Sequence, residues 1–455
     1  MAARAELDPR WQYAAVLSTG VLIGLIAGVS PPMALLAAIG ITFVGVTLVN
    51  LTAGLCFFAV ITSIDTIIPY DTGIVSLPKL MGILLVISWL AGATSRAEGK
   101  LFEHPVFLYV LLLFGGWVVL SFAWANDEAA VVDTFIRFAP NAMLFLITYS
   151  AIKTRDQALW LVGAFVLGTL ISAAYGFAVP TDPHAGDRLS GAGGNANETA
   201  AALTAGVALS GALAVALKEP LLRVAAAIIV PLSIFAIFLT LSRGGLVSLG
   251  AVLITAVLMA GRRRGVALTV ALVAALLTIG YFAAVAPQAS KDRVTQLDGG
   301  TGRSSIWKVG WRMVEAHPVV GVGAGNFPTE SVHYLLAPGA ILRADFIVDT
   351  PKVAHNSYLE VLAELGIVGL ALFLAIVSYA LGCALKAVKE FARTGDRSME
   401  IISRALFIAL VGLLAGDFFG SREFGKQLWL LMSICPALLA LARAQAAGTQ
   451  PPPAA

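Results

Sequence analysis

The sequence predicts an all-α protein that crosses a membrane many times, and three observations carry that expectation. Of its 455 residues, 58% are hydrophobic and 13% charged, with a mean hydropathy of +0.87; soluble domains carry about 25% charged residues. Apolar runs close to the roughly 20 residues that cross a bilayer core recur along the chain. Basic residues gather in alternate connectors between those runs, as they do in cytoplasmic loops. Length alone would allow two or three soluble domains, but composition excludes them.

Taken in order, the apolar runs fall near 13–29, 32–49, 51–68, 77–94, 105–124, 134–152, 158–179, 197–217, 222–241, 244–260, 265–286, 355–386, 402–420 and 427–444. Roughly 12–14 transmembrane helices are therefore expected. Almost nothing separates 32–49 from 51–68, so either is a candidate for a re-entrant or broken element. The mixed-charge stretch 1–11 precedes no convincing cleavage site, and the first span is read as retained. Five segments follow: N-terminal helices over 1–180, a helical core over 181–286, a polar loop over 287–353, C-terminal helices over 354–445 and a Pro/Ala-rich tail over 446–455.

With the N-terminus placed inside, alternate connectors hold 17 of the 30 basic residues and nine of the 27 acidic ones. This predicts both termini in the cytoplasm and 287–353 outside. Nine further basic residues lie in or beside external loops: Arg188, Arg243, Lys291, Arg293, Arg303, Lys308, Arg312, Arg343 and Lys352. A long loop translocates whatever its charge, which accounts for the mid-loop lysines. It accounts poorly for Arg243, which sits in a connector of two or three residues.

Arg243 follows Thr240-Leu241-Ser242 and precedes Gly244-Gly245. An arginine at a helix centre costs about 2.5–3.5 kcal/mol, less near the interface, so such a residue is paired, snorkelling or functional. The two glycines allow a phosphate or a neighbouring helix to come close. Residues 304–316 read as an amphipathic helix capped by Thr301 or Ser304 and stopped by Pro318, with Arg303 at an anion-favouring N-terminus. Gly321, Gly323 and Gly325 resemble a nucleotide loop, but no strand–helix unit surrounds them.

His355 stands at the entrance of the next span, either a structural hydrogen-bonder or a proton acceptor near neutral pH. Asn356, Glu360 and Glu364 share a helix face and either pair with an arginine, orient the histidine or pack the bundle. His104, His184, His317 and His333 lack comparable company. In the patch from Arg188 to Glu198, Asn195 or Asn197 is a candidate helix cap as readily as a ligand. Cys56, Cys383 and Cys435 lie apart in apolar runs and form no disulfide frame or zinc site. There is no Asp-x-Asp pair or metalloprotease-type spacing, so no metal or other cofactor is expected.

Leu241-Ser242-Arg243-Gly244, Gly302-Arg303 with Trp307, His317-Pro318-Val319-Val320-Gly321-Val322-Gly323, and His355-Asn356 with Glu364-Leu365-Gly366 occur in that order. Together they resemble the bacterial O-antigen ligase and polymerase superfamily, over roughly 188–435. Lys426 with Trp429 resembles the family's last span. The resemblance implies a C-type, helical inner-membrane glycosyltransferase, inverting and metal-independent. It would move a glycan from undecaprenyl pyrophosphate to an acceptor hydroxyl on the periplasmic face. By motif, Arg243 and Arg303 would neutralise the pyrophosphate and His355 would be the general base. Arg188, Arg312, Asn356 and Glu364 are the expected substrate contacts. The expected partners are that donor, a lipid or glycan acceptor and membrane lipids, with no nucleic acid.

Two rivals share the donor: a repeat-unit polymerase and a protein oligosaccharyltransferase. A third, a lipid-linked oligosaccharide flippase, would place polar groups near the bilayer midplane and often shows repeated halves. Here the charges gather at one external level, with only Arg137 and Asp417 standing out within spans.

Overall fold

Lipid offers backbone amides and carbonyls no partner, so a chain this apolar satisfies them within helices. The computed structural model describes residues 18, 20–21, 23–64, 77–94, 105–179, 188–192, 194–261, 264–285, 302–336 and 352–448, and they contain helices and no strand. Expectations for His104, His184, 287–301, 337–351 and the end of the tail fall outside these residues. Among those described, nine helices are long and apolar enough to cross a membrane and four further apolar helices are shorter. The chain is a multi-pass membrane protein.

The helices are α1 (Pro31–Val49), α2 (Leu51–Ile61), α3 (Leu77–Thr94), α4 (Pro105–Leu120), α5 (Glu128–Ala151), α6 (Arg155–Ala178), α7 (Ala196–Ala216) and α8 (Pro220–Leu239). They continue as α9 (Arg243–Met259), α10 (Arg264–Gly280), α11 (Arg303–Ala316), α12 (Phe327–Ser331), α13 (Ser357–Thr394), α14 (Arg397–Gly416) and α15 (Lys426–Ala446). Asn50 alone separates α1 from α2, and its side-chain oxygen accepts from the Thr52 and Ala53 amides to start the second helix. At 11 residues, α2 spans about 16 Å, roughly half a bilayer core.

Burial ranks the helices. In α7 and α15, 78% of the apolar window is buried, against 6% for the span containing α10, so the first two form the centre. Helix α7 is built mostly of alanine, glycine, serine and threonine, with leucine and valine between them, and the small residues let helices approach closely in lipid. A Cβ on Gly245 would lie 2.5 Å from the Ala200 Cβ, and one on Gly412 would meet Val252 and Thr204. Helices α7, α9 and α14 are thus in near-backbone contact. The glycines after Arg243 serve this approach. In α15, Trp429 is fully buried and meets Phe138 and Phe145 edge-on. At the end of the bundle away from His355, Arg155 pairs with Asp396 at 3.7 Å and joins two connectors.

The run expected as one span over 355–386 is broken. Gly366 has φ 65 and ψ −170 inside α13, which frees backbone groups within an apolar helix. Each is re-paired. The Val322 amide donates to the Ala363 carbonyl (3.0 Å), Gly323 to Glu364 (2.8 Å), and Ile367 to Pro318 (2.9 Å). Trp117 Nε1 donates to the Leu365 carbonyl at 2.9 Å. The glycine-punctuated turn is therefore a plug for a broken helix, which explains its composition. Gly321, Gly323 and Gly325 all take positive φ, and a Cβ on Gly321 or Gly366 would collide with backbone across the joint. Ser121 and Asp127 hold the far side of the turn through Ala324 and Asn326.

Gly366→Ala is expected to lower stability by roughly 1–3 kcal/mol for the backbone strain alone, with the collision added. Gly382→Ala, where a Cβ meets nothing within 4 Å, is expected to be neutral or slightly stabilising. Thermal unfolding of both purified variants in one detergent checks this; equal midpoints would refute the plug.

Candidate functional site

The site is assembled from two helix N-termini that carry arginine where electrostatics disfavours it. A helix N-terminus bears a partial positive charge, so a cation there costs about 0.3–1 kcal/mol. Arg243 is the first residue of α9 and Arg303 the first of α11, and neither first turn contains an acid. Gly302, with φ 62, is the cap of α11, so the expected Ser304 cap is corrected: Ser304 lies inside the helix. Thr301 lies outside the described residues. Two positive helix ends and two guanidinium groups form a focus suited to a multiply charged anion. Burial, and then the charge of Arg243, hold Arg303 below its ordinary pKa.

His355 belongs to the same field. Burial first, then Arg303 and then Lys352, lower its imidazole to about 4, so it is neutral at pH 7. Its backbone is held in an uncommon conformation, φ 51, and Leu241, two residues before Arg243, has φ 48. These are the two non-glycine residues of positive φ among those described. Strain of this kind survives only where surroundings over-determine it. Around His355 they do. The Trp307 indole donates to the Ala354 carbonyl at 3.0 Å, the Ala354 amide donates to Glu360 Oε2 at 3.2 Å, and the His355 amide donates to Ser421 Oγ at 3.0 Å. The Ser421 hydroxyl in turn donates to Glu360.

The other expected residues have structural partners. Asn356 caps α13, accepting from the Tyr358 and Leu359 amides at 3.1 Å each. Glu364 is buried, and its two oxygens accept from the Gly325 and Phe327 amides at 2.8 and 3.1 Å, tying α13 to the plug. Arg312 donates to the Tyr334 and Leu335 carbonyls at 2.8 and 3.4 Å. Arg188 donates to the Thr240 carbonyl at 2.8 Å and to Asn197 Oδ1 at 3.4 Å, which brings it beside the start of α9. Asn195 is the cap of α7.

Sequence reading offered Asn197 as a helix cap or ligand, and it passed over the layer of contacts that this residue joins. Asn197 lies within α7, and its side-chain oxygen accepts from the Ser242 hydroxyl at 2.8 Å as well as from Arg188. Its carbonyl accepts from Arg422 at 3.2 Å, and Arg422 is paired with Asp417 at 2.9 Å. Ser242 caps α9 through the Gly245 amide at 3.1 Å, so this chain of contacts supports the backbone that carries Arg243. The available signal was the polar stretch Gly420-Ser421-Arg422-Glu423 between two apolar runs.

Removing a neighbouring positive charge stabilises the imidazolium, so Lys352→Ala is expected to raise the His355 pKa from about 4 toward the ordinary value near 6.5. Imidazole NMR titration of the purified protein, with His355→Gln to assign the signal, reads this directly. A wild-type value at or above the ordinary one would refute the electrostatic coupling.

Residues 226–374, which include Arg243, Arg303 and His355, match the family model described as O-Antigen ligase. The chain is also 30% identical over 348 residues to the O-antigen ligase of Pseudomonas aeruginosa PAO1, covering 74% of this chain and 77% of that protein. Two arginine-bearing helix ends and a strained, neutral histidine thus fall inside the matched region, and the chain belongs to the O-antigen ligase family.

Proposed function

We propose that the protein is an inverting O-antigen ligase that transfers a glycan from undecaprenyl pyrophosphate to an acceptor hydroxyl at the periplasmic face of the inner membrane. The observation that carries this is the shared electrostatic field of Arg243, Arg303 and the neutral His355. The two guanidinium groups and helix ends bind the pyrophosphate and stabilise the charge that grows as it leaves. His355 takes the acceptor's proton as the new glycosidic C–O bond forms. The bond from the sugar to the carrier phosphate breaks, and its electron pair departs with the pyrophosphate. A positioned base of this kind contributes about 10²–10⁴-fold. Arg188 completes the anion site from beside α9, whereas Asn356, Glu364 and Arg312 shape it by holding the backbone. The reaction needs no metal in this reading.

An imidazole lowered to about 4 is a weak base in the empty site. Donor binding remedies this, because the pyrophosphate's negative charge offsets the arginines and raises the imidazole pKa back toward its ordinary value. The base is therefore strengthened only when there is a donor to react with. The name of the relative, O-antigen ligase, favours ligation over polymerisation as the outcome.

In cells lacking the native protein, His355→Ala is expected to insert at wild-type level, abolish surface glycan and accumulate full-length chains on the carrier. Accumulation of single repeat units would indicate a polymerase, and unchanged display would remove His355 as the base. In purified enzyme the acidic limb of kcat is expected at higher pH than that of kcat/KM for the donor, since the latter reports the free enzyme.

A further inference from the structure

A cavity of about 260 Å³ opens beside residues 421–427, on residues the reaction scheme above does not use. Arg243, Arg303 and His355 do not line it. Ser421 joins the two regions, because it lines the cavity and accepts the His355 amide. The walls come from distant parts of the chain. Buried Thr62, Ser63 and Thr169 line it together with the exposed residues Arg137, Glu198 and Lys426. Arg422 and Glu423 complete the wall, and Arg422 Nε and Glu423 Oε2 have no hydrogen-bond partner among the described residues.

The chemistry of this wall selects its ligand. The hydroxyls of Thr62, Ser63 and Thr169 give their protons to the carbonyls of Ala59 and Val166, so they face the cavity as acceptors. Glu198 and Glu423 add acceptors, while Arg137, Arg422 and Lys426 supply donors. A phosphate would use only the donors and would be repelled by the carboxylates. A cation would meet three positive charges. A polyhydroxylated ring offers donors and acceptors on every side and matches both sets. Orientation by a few polar groups is the ordinary means of specificity in a pocket.

From this we infer that the cavity is a saccharide subsite that holds one sugar unit of the glycan substrates next to His355. The inference rests on the transferase reading above for its place in the reaction, but not for its ligand chemistry. A sugar held there reaches the reaction centre past Ser421, whose bond to the His355 backbone couples occupancy to the position of the base. Arg137 and Thr169 are then specificity residues, separate from the pyrophosphate contacts.

The test uses full-length protein in nanodiscs, carrying His355→Ala so that binding is read without turnover. The probes are the donor glycan released from its carrier by mild acid and a soluble oligosaccharide of the acceptor, each titrated by saturation-transfer NMR. Arg137→Gln is expected to weaken one of the two by about tenfold, the loss of one charge-assisted hydrogen bond. Thr169→Val, nearly isosteric, is expected to act on the same probe in the same direction. Which probe responds tells whether the subsite belongs to donor or acceptor. Unchanged binding of both probes in both variants would overturn the subsite, as would their displacement by inorganic pyrophosphate, which would mark an anion site. Failure of the transferase reading is seen separately, as glycan transfer that persists in His355→Ala.

Discussion

The break at Gly366 is the constraint on which the site depends. An unbroken α13 would continue straight and leave the glycine turn with nothing to bind. Breaking an apolar helix exposes carbonyls and an amide that lipid cannot satisfy. The turn from Pro318 to Phe327 takes up those groups through its own backbone and through Glu364. One set of hydrogen bonds therefore repairs the helix and docks the segment carrying α11 on the bundle. Because α11 leads directly into that turn, its N-terminus and Arg303 are oriented by the same joint.

A second constraint operates on the bundle side. Small residues bring α7, α9 and α14 into near contact, and the contacts around Asn197 join the start of α9 to Arg188 and Arg422. The arginine-bearing ends of α9 and α11 are positioned by independent means. Two locally unfavourable choices, cations at helix N-termini, coincide with two residues at strained φ. Such conflicts between local preference and global fold are expected at functional sites. The neutrality of His355 follows from the same arrangement, because the charges that favour an anion disfavour an imidazolium.

Much of the bundle was legible in the sequence. Apolar runs located most helices within a few residues, since a span must satisfy its own backbone and its hydropathy is a local property. The amphipathic stretch became α11, with Arg303 rather than Ser304 at its start. Arg243, Arg303 and His355 stood out because charge at an apolar boundary needs a reason. Asn356 and Glu364 were legible as polar groups on one helix face, but not in their partners. Asn356 turns to its own helix start, and Glu364 to amides about forty positions earlier in the chain. Arg422 was overlooked, and Asn197 was read as a cap or ligand, because nothing in their local sequence distinguishes a buried buttress from a solvated connector.

By itself the sequence determined the class of molecule, the register of its apolar helices and the residue types gathered at one level. Each of these is set by neighbours along the chain or by the solvent that a segment must match. Only the tertiary structure decided that the glycine turn repairs a broken helix, that two distant arginines share a field with His355, and that hydroxyls from separate helices line one cavity. Those outcomes depend on hydrogen bonds and Coulomb interactions between segments from about forty to more than two hundred residues apart, whose geometry no local pattern encodes.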